Sequence, residues 1–189
     1  MSSARAVTVY CSASKHVPAV YPAAAAELGR AIAREGWTLV YGGNCVGCMG
    51  TLANAVRDAG GKVVGITPQL MVDEGIGDEL CHELVVTPDM RQRKALLEQR
   101  GDAFVALPGG LGTFEELFEI LVGRILGYHR KPVVILNIAG YYDPLVAMLE
   151  HGIEHRFIKA SAREAYFVAG SVADAVEFLR SAAGDGADK

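Results

Sequence analysis

Two adjacent carboxylates, Glu115 and Glu116, close a glycine-rich stretch that runs Leu107-Pro108-Gly109-Gly110-Leu111-Gly112-Thr113-Phe114. Glycine lets the backbone approach a ligand closely because no Cβ intervenes. The apolar run 103–107 precedes the stretch and an amphipathic run follows, so it reads as strand, turn and helix. The first N–H groups of such a helix lack intrahelical partners and, with the helix dipole, favour a phosphate. A plain phosphate cradle gains nothing from two carboxylates beside it. A site that holds phosphate at one end and does acid–base or electrostatic work at the other does gain. A simpler reading makes Thr113-x-x-Glu116 a capping box, but it uses neither the three glycines nor Glu115.

Arg91, Arg93 and Lys94 follow Asp89 and Met90 at an expected helix start. Cations there oppose the helix dipole, so the cluster asks for an anion. Arg93 is the best placed to offer fixed, forked donors to a phosphate or sugar oxygen. The simpler alternative is a solvated basic face, with Glu98 four residues after Lys94. A second glycine-rich loop, 42–50, contains Gly43 and Asn44. It is not Gly-x-Gly-x-x-Gly, and the strand after it does not end in an acidic residue, so a dinucleotide is not indicated. The chain has no Gly-Lys-Ser/Thr and no Gly-x-Ser-x-Gly, which sets aside P-loop and serine-hydrolase chemistry. Cys45-x-x-Cys48 lacks a second cysteine pair, since Cys11 and Cys81 are isolated. His151-x-x-Glu154-His155 matches a zinc-peptidase string but lies on an expected helix with no supporting acidic ligand evident, and reads as a polar helix face. No metal and no cofactor is expected.

The elements that must position these residues alternate along the chain. Apolar runs at 7–11, 38–41, 63–67, 84–87, 103–107, 133–136 and 167–169 read as strands. Helical patterns at 19–34, 49–59, 90–100, 113–126, 144–154 and 172–180 separate them, and an irregular stretch follows residue 67 through Leu80. This predicts an α/β fold: one Rossmann-like domain, a doubly wound parallel sheet with helices on both faces. The domain spans 1–181, and 182–189 is a small, polar, disordered tail. In such sheets the ligand sits outside the carboxyl ends of the strands. The segments to watch are therefore 12–16, 42–50, 67–75, 88–94 and 108–116. The chain has 189 residues, 51% hydrophobic and 21% charged, with a formal net charge of -4. No basic excess points to nucleic acid, and no apolar run approaches the roughly 20 residues of a membrane span. No secretory signal is visible, and four cysteines without one suggest reduced thiols and a cytoplasmic location.

Taken together, these motifs resemble the LONELY GUY family of cytokinin riboside 5′-monophosphate phosphoribohydrolases. The family signature Pro-Gly-Gly-x-Gly-Thr-x-x-Glu is met by Pro108 to Glu116, Met-x-x-Arg-Lys by Met90, Arg93 and Lys94, and Tyr-Gly-Gly-x-x-x-Gly-x-Met-Gly by Tyr41 to Gly50. The similarity runs over about residues 7–158. Members are often labelled lysine decarboxylases, a label these residues do not support. The resemblance implies hydrolysis of the N-glycosidic bond of AMP or an N6-substituted AMP, giving free base and ribose 5-phosphate. It implies that Glu116 stabilises positive charge on the ribose ring or orients the attacking water. Arg93, the second catalytic position, would fix the substrate and help the base depart. Gly110, Gly112 and Thr113 would hold the 5′-phosphate with support from Lys94, and Glu115 would bind ribose hydroxyls. Gly109, Met90, Gly43 and Asn44 join the substrate-binding set, and Glu74 corresponds loosely to a base-binding glutamate. Members are dimers with sites near the interface, so a homodimer is expected, with no nucleic acid or membrane partner.

The chain departs from the family pattern in three places. Val122, Gly123, Arg124 and Ile125 stand where Thr-Trp-x-Gln is usual, Arg91 where His is usual, and Asn44 where Gly is usual. The first of these bears on the base pocket or the interface, and so on the identity of the base more than on the reaction. Plain AMP would then be cleaved as well as, or better than, a prenylated one. Two other readings compete. A non-catalytic nucleotide or molybdopterin carrier would share the glycine loop but has no need of Glu115, Glu116 and Arg93 together. A single-stranded-DNA module would need a basic stripe with interleaved aromatics, which the acidic balance argues against.

Overall fold

The computed structural model describes residues 5–182. All but the first residue of the expected tail lie outside the described residues. Seven strands form one sheet: β1 (Ala6–Tyr10), β2 (Thr38–Tyr41), β3 (Lys62–Pro68), β4 (Glu83–Thr87), β5 (Ala103–Ala106), β6 (Val133–Leu136) and β7 (Phe167–Ala169). Their spatial order is β4-β3-β2-β1-β5-β6-β7, and every neighbouring pair is parallel. The helices are α1 (Val20–Arg34), α2 (Gly47–Asp58), α3 (Gln69–Asp73), α4 (Met90–Arg100), α5 (Leu111–Ile125), α6 (Asp143–Glu154) and α7 (Val172–Ser181). Short 3₁₀ turns occupy Ile138–Gly140 and Ala160–Ala165.

Alternation along each strand divides the core between the two faces. Val7, Val9 and Cys11 pack with α1, α2 and α7 through Leu28, Ile32, Leu52, Val56, Val176 and Leu179. Tyr10 points the other way and packs with α4 and α5 through Leu97, Leu117, Ile120 and Leu121. Both faces are buried, which is why the strands are nearly all apolar. Thr8 is the polar exception on β1, and its hydroxyl donates to the Leu97 carbonyl at 2.9 Å.

The expected elements are all present, with ends displaced by a residue or two and with α3 and the two 3₁₀ turns added. The irregular stretch contains the five-residue helix α3. Helix α5 begins at Leu111 rather than 113, because Gly110 takes the extended N-cap conformation (φ -94, ψ -156). Helix α2 begins at Gly47, whose φ of 61 is a turn conformation that suits glycine. The chain enters the sheet at β1, builds outward through β2, β3 and β4, then returns to add β5 on the other side of β1. The order reverses between β1 and β5, and the crevice outside the carboxyl ends of these strands is the expected ligand site.

Candidate active site

A cleft of about 280 Å³ opens at that crevice. Its walls come from the segments just after β1, β2, β3 and β5 and from the start of α4, including Ser12, Gly42, Asn44, Met71, Arg93 and Glu116. Of the residues expected at the site, Asn44, Met90, Arg93, Gly110, Gly112, Thr113, Glu115 and Glu116 all line the cleft. Four named residues do not. Gly43 and Gly109 are buried behind the wall. Lys94 stands outside it, and Glu74 is exposed at the C-terminal cap of α3.

The glycine turn is braced from outside. Tyr141 donates from its hydroxyl to the Gly109 carbonyl at 2.5 Å, and Tyr142 to the Leu107 carbonyl at 2.7 Å. A Cβ on Gly109 would lie 2.6 Å from the Thr113 Cβ, so only glycine lets the first turn of α5 fold back on the loop. The first intrahelical bond of α5 runs from Phe114 N–H to the Gly110 carbonyl at 3.0 Å. The N–H groups of Leu111, Gly112 and Thr113 precede it and lie at the positive end of the helix dipole, a standing anion site. The capping-box reading of Thr113 and Glu116 does not hold: Gly110 is the cap, no side chain caps the helix, and Glu116 turns to α4.

Glu116 and Arg93 form a buried pair, Nη1 to Oε1 at 2.8 Å, with side-chain exposures of 7% and 8%. Arg93 Nε donates to the Ile66 carbonyl at 3.1 Å, and Nη2 lies against Gly42, where a Cβ would collide with it. The forked donors expected for a ligand are thus largely engaged within the chain, and Nη2 is the one that faces the loop after β2. Burial pushes the Glu116 carboxyl above the usual carboxylate range, while the Arg93 charge and hydrogen bond pull it back. The anion that the basic cluster on α4 asks for is supplied by α5. Lys94 Nζ binds Glu115 at 2.8 Å and Glu119 at 3.2 Å, rather than turning to Glu98. Asp89 caps α4 by accepting from Gln92 N–H at 2.9 Å.

Part of the cleft wall is apolar, made by Met49, Met71, Met90 and Pro68. Methionine adapts its shape to irregular apolar groups. Asn44 interrupts this wall, 7% exposed, with its Oδ1 unpartnered. Cys11, Ser12, Ala13, Pro68 and Met71 also line the cleft, and the signal available for them in the sequence is position just after a strand, not residue type; Gly42 and Met49 belong to the motif of the second glycine-rich loop. Val122, Arg124 and Ile125 do not line the cleft. Val122 and Ile125 are exposed, and Arg124 donates to the carbonyls of Arg130, Lys131 and Glu164.

The family described as "Possible lysine decarboxylase" matches residues 49–179. The chain is 46% identical over 180 residues to the cytokinin riboside 5′-monophosphate phosphoribohydrolase of Rhodococcoides fascians, covering 94% of this chain and 90% of that protein. It is 42% identical over 170 residues to the protein of the same name from Mycobacterium tuberculosis, covering 90% of each. Among solved structures, the molybdenum cofactor binding protein of Rippkaea orientalis superposes with a TM-score of 0.76 over 97% of this chain and 99% of that one, at 23% identity. That last likeness concerns the fold.

Proposed function

We propose, for a chain that belongs to the family of cytokinin riboside 5′-monophosphate phosphoribohydrolases, a reaction centred on the buried Glu116–Arg93 pair. The chain hydrolyses the N-glycosidic bond of a nucleoside 5′-monophosphate, AMP or an N6-substituted AMP, and releases the free base and ribose 5-phosphate. The 5′-phosphate sits on the N–H groups at the start of α5, at Gly110, Gly112 and Thr113. Glu115, half-exposed at the rim, takes the ribose hydroxyls. Breaking the bond leaves positive charge on the ribose ring, and an ionised Glu116 beside it stabilises that charge or orients the water that attacks C1′. The proton that water loses neutralises the departing base. Arg93 keeps Glu116 ionised and aimed, and its Nη2 reaches toward the base side of the cleft.

The methionine wall supports a base that carries an apolar N6 substituent, with Asn44 beside it. Lys94 tunes the site at one remove, by holding Glu115 and Glu119. The protein is a homodimer. Val122, Ile125 and Leu126 share one side of the end of α5 and are 51%, 47% and 61% exposed, and Tyr128 is 81% exposed. Apolar side chains left together on a helix end mark an association surface.

The observation that carries the reaction is the carboxylate held at the base of the cleft by an arginine. A carrier has no use for a buried anion beside the ring it binds. The test is chromatographic detection of base released from AMP and from isopentenyl-AMP, by the native chain and by Glu116→Gln. Release by the native chain that falls on the order of a hundredfold in the variant, with AMP still bound, is the expected result. Binding without release from either nucleotide would leave a carrier.

A further inference from the structure

Outside the cleft, one cluster of metal-ligating side chains converges among the described residues. His151, Glu154 and His155 each present one ligand atom within 4.8 Å of the other two. The sequence reads this string as a polar helix face with no metal. We propose that these three residues form a binding site for a divalent transition-metal ion of the zinc class, separate from the nucleotide cleft.

The spacing places the three on one side of the last turn of α6, since residues three and four apart on a helix are neighbours. That turn does not end loosely. Arg156 has a φ of 63, its N–H donates to the Ile153 carbonyl at 3.0 Å, and Phe157 N–H donates to the Gly152 carbonyl at 2.9 Å. This is a Schellman closure, which fixes His155 at the boundary of the helix. The His155 ring is oriented as well. Its Nδ1 lies 3.0 Å from the His151 carbonyl, which only accepts, so Nδ1 carries the proton and donates. The neutral ring then offers its lone pair at Nε2, the arrangement by which a backbone carbonyl sets a metal-binding tautomer. The two rings stand 4.0 Å apart between centroids.

Charge favours a cation here. The C-terminal end of a helix carries partial negative charge, and Glu154 adds a carboxylate. The cations at hand are Arg156, Lys159 and Arg163; Arg163, which senses Glu154, is engaged by Glu150, its Nε 3.0 Å from both carboxylate oxygens. Two imidazoles with one carboxylate suit zinc, copper or nickel and disfavour magnesium or calcium. Zinc–nitrogen bonds of about 2.0–2.1 Å bring donors to about 3.4 Å apart. The three side chains are exposed and close that gap by rotamer adjustment. Three protein ligands leave a fourth position open to water or to a donor from another molecule.

The test is calorimetric titration of the full chain with zinc chloride. The native chain and Cys45→Ser are expected to bind one ion each, saturably, and His151→Ala/His155→Ala to lose that binding with an unchanged thermal midpoint. Glu154→Gln raises the dissociation constant about tenfold or more. Undiminished zinc binding by the double variant, or loss of it in Cys45→Ser, would place the ion elsewhere and overturn the proposal. So would the absence of saturable binding by the native chain.

Discussion

Glu116 sits where water is scarce, and among its charged neighbours Arg93 bears most on its ionisation. Burial favours its protonated form, and Arg93 at 2.8 Å favours the ionised one. The proposed reaction uses the ionised form, so the sign of an Arg93 substitution follows. Arg93→Ala removes the pull toward ionisation, the Glu116 carboxyl rises further, and at any given pH less of it is charged. The acid limb of the kcat/KM profile then moves to higher pH, and kcat on the plateau falls on the order of a hundredfold. Arg93→Lys keeps the charge but not the fork that spans Ile66 and Glu116, so it recovers the position of the limb better than the plateau rate. A profile measured from pH 4 to pH 9 on the three proteins decides it. An acid limb that stays in place would mean that Glu116 is not the titrating group. Glu115 and Glu116 are neighbours in sequence with opposite circumstances, one half-exposed and lysine-bound, the other buried and arginine-bound. The adjacent pair was visible from the sequence, but which of the two is buried was not, because that depends on where α4 packs against α5.

Between elements, a buried carboxylate ties the loop after β3 to β2 and α2. Asp78, 2% exposed, accepts from the Tyr41 hydroxyl at 2.6 Å and from Arg57 Nη1 at 2.7 Å, and its Oδ1 accepts from Leu80 N–H at 3.1 Å. Backbone bonds join the same loop to the loop after β2: Asp78 N–H to the Gly43 carbonyl at 2.9 Å and Cys45 N–H to the Ile76 carbonyl at 3.0 Å. The two loops carry Asn44 and Met71, which form one wall of the cleft. Tyr41→Phe removes one hydrogen bond and keeps the ring, so it lowers stability by about 1 kcal/mol and raises KM more than it lowers kcat, read from a thermal scan and steady-state kinetics. An equal fall in stability with unchanged KM would make the tie purely architectural. Burial pushes the Asp78 carboxyl up, but the bonds from Tyr41 and Arg57 outweigh it and the net shift is downward. A carboxylate lowered by folding stabilises the fold above its unfolded pKa, and that contribution is lost as pH falls through the folded value. Hydrogen exchange at 69–82 should therefore quicken in acid before the rest of the chain opens. Gly47→Ala acts on the facing wall. Its Cβ would lie 2.5 Å from the Ala13 carbonyl carbon, at a φ of 61, so it costs about 1–3 kcal/mol and displaces the loop after β1 that lines the cleft. A thermal scan that matched the native chain would show that the loop yields without cost. Helical periodicity and apolar runs placed the strands and long helices, because 3.6- and 2-residue periods survive in single sequences. They said nothing of α3 or of Asp78, since a five-residue helix has too few turns to show a period. An aspartate in an irregular stretch likewise looks solvated until its partners on β2 and α2 are in place.

At the scale of the whole molecule, the sheet is finished on both faces but the far end of α5 is not. Leu117, Ile120 and Leu121 of that helix face the core. Val122, Ile125 and Leu126 continue the helix outward with about half or more of their surface exposed. The same stretch holds Val122, Gly123, Arg124 and Ile125, the first of the departures from the family pattern, and Arg124 anchors it to the carbonyls of Arg130, Lys131 and Glu164 rather than reaching the cleft. A surface built this way, rigid and apolar at the end of the helix whose other end is the proposed phosphate site, is where two copies of the chain would meet. Light scattering coupled to gel filtration should therefore find twice the chain mass for the native protein. Val122→Glu with Leu126→Glu places unpaired carboxylates in that contact. Each costs at least about 3 kcal/mol when buried without a partner, which is more than a hundredfold in the dissociation constant, so the variant runs as a monomer at concentrations where the native chain is paired. The monomer keeps its own sheet and cleft, and its thermal midpoint falls only by what association contributed. If base release survives in full in that monomer, the cleft is complete in one chain; if it falls while the fold is intact, the second copy completes the site through α5. A native chain that is already monomeric would remove the dimer and leave the end of α5 as ordinary exposed surface.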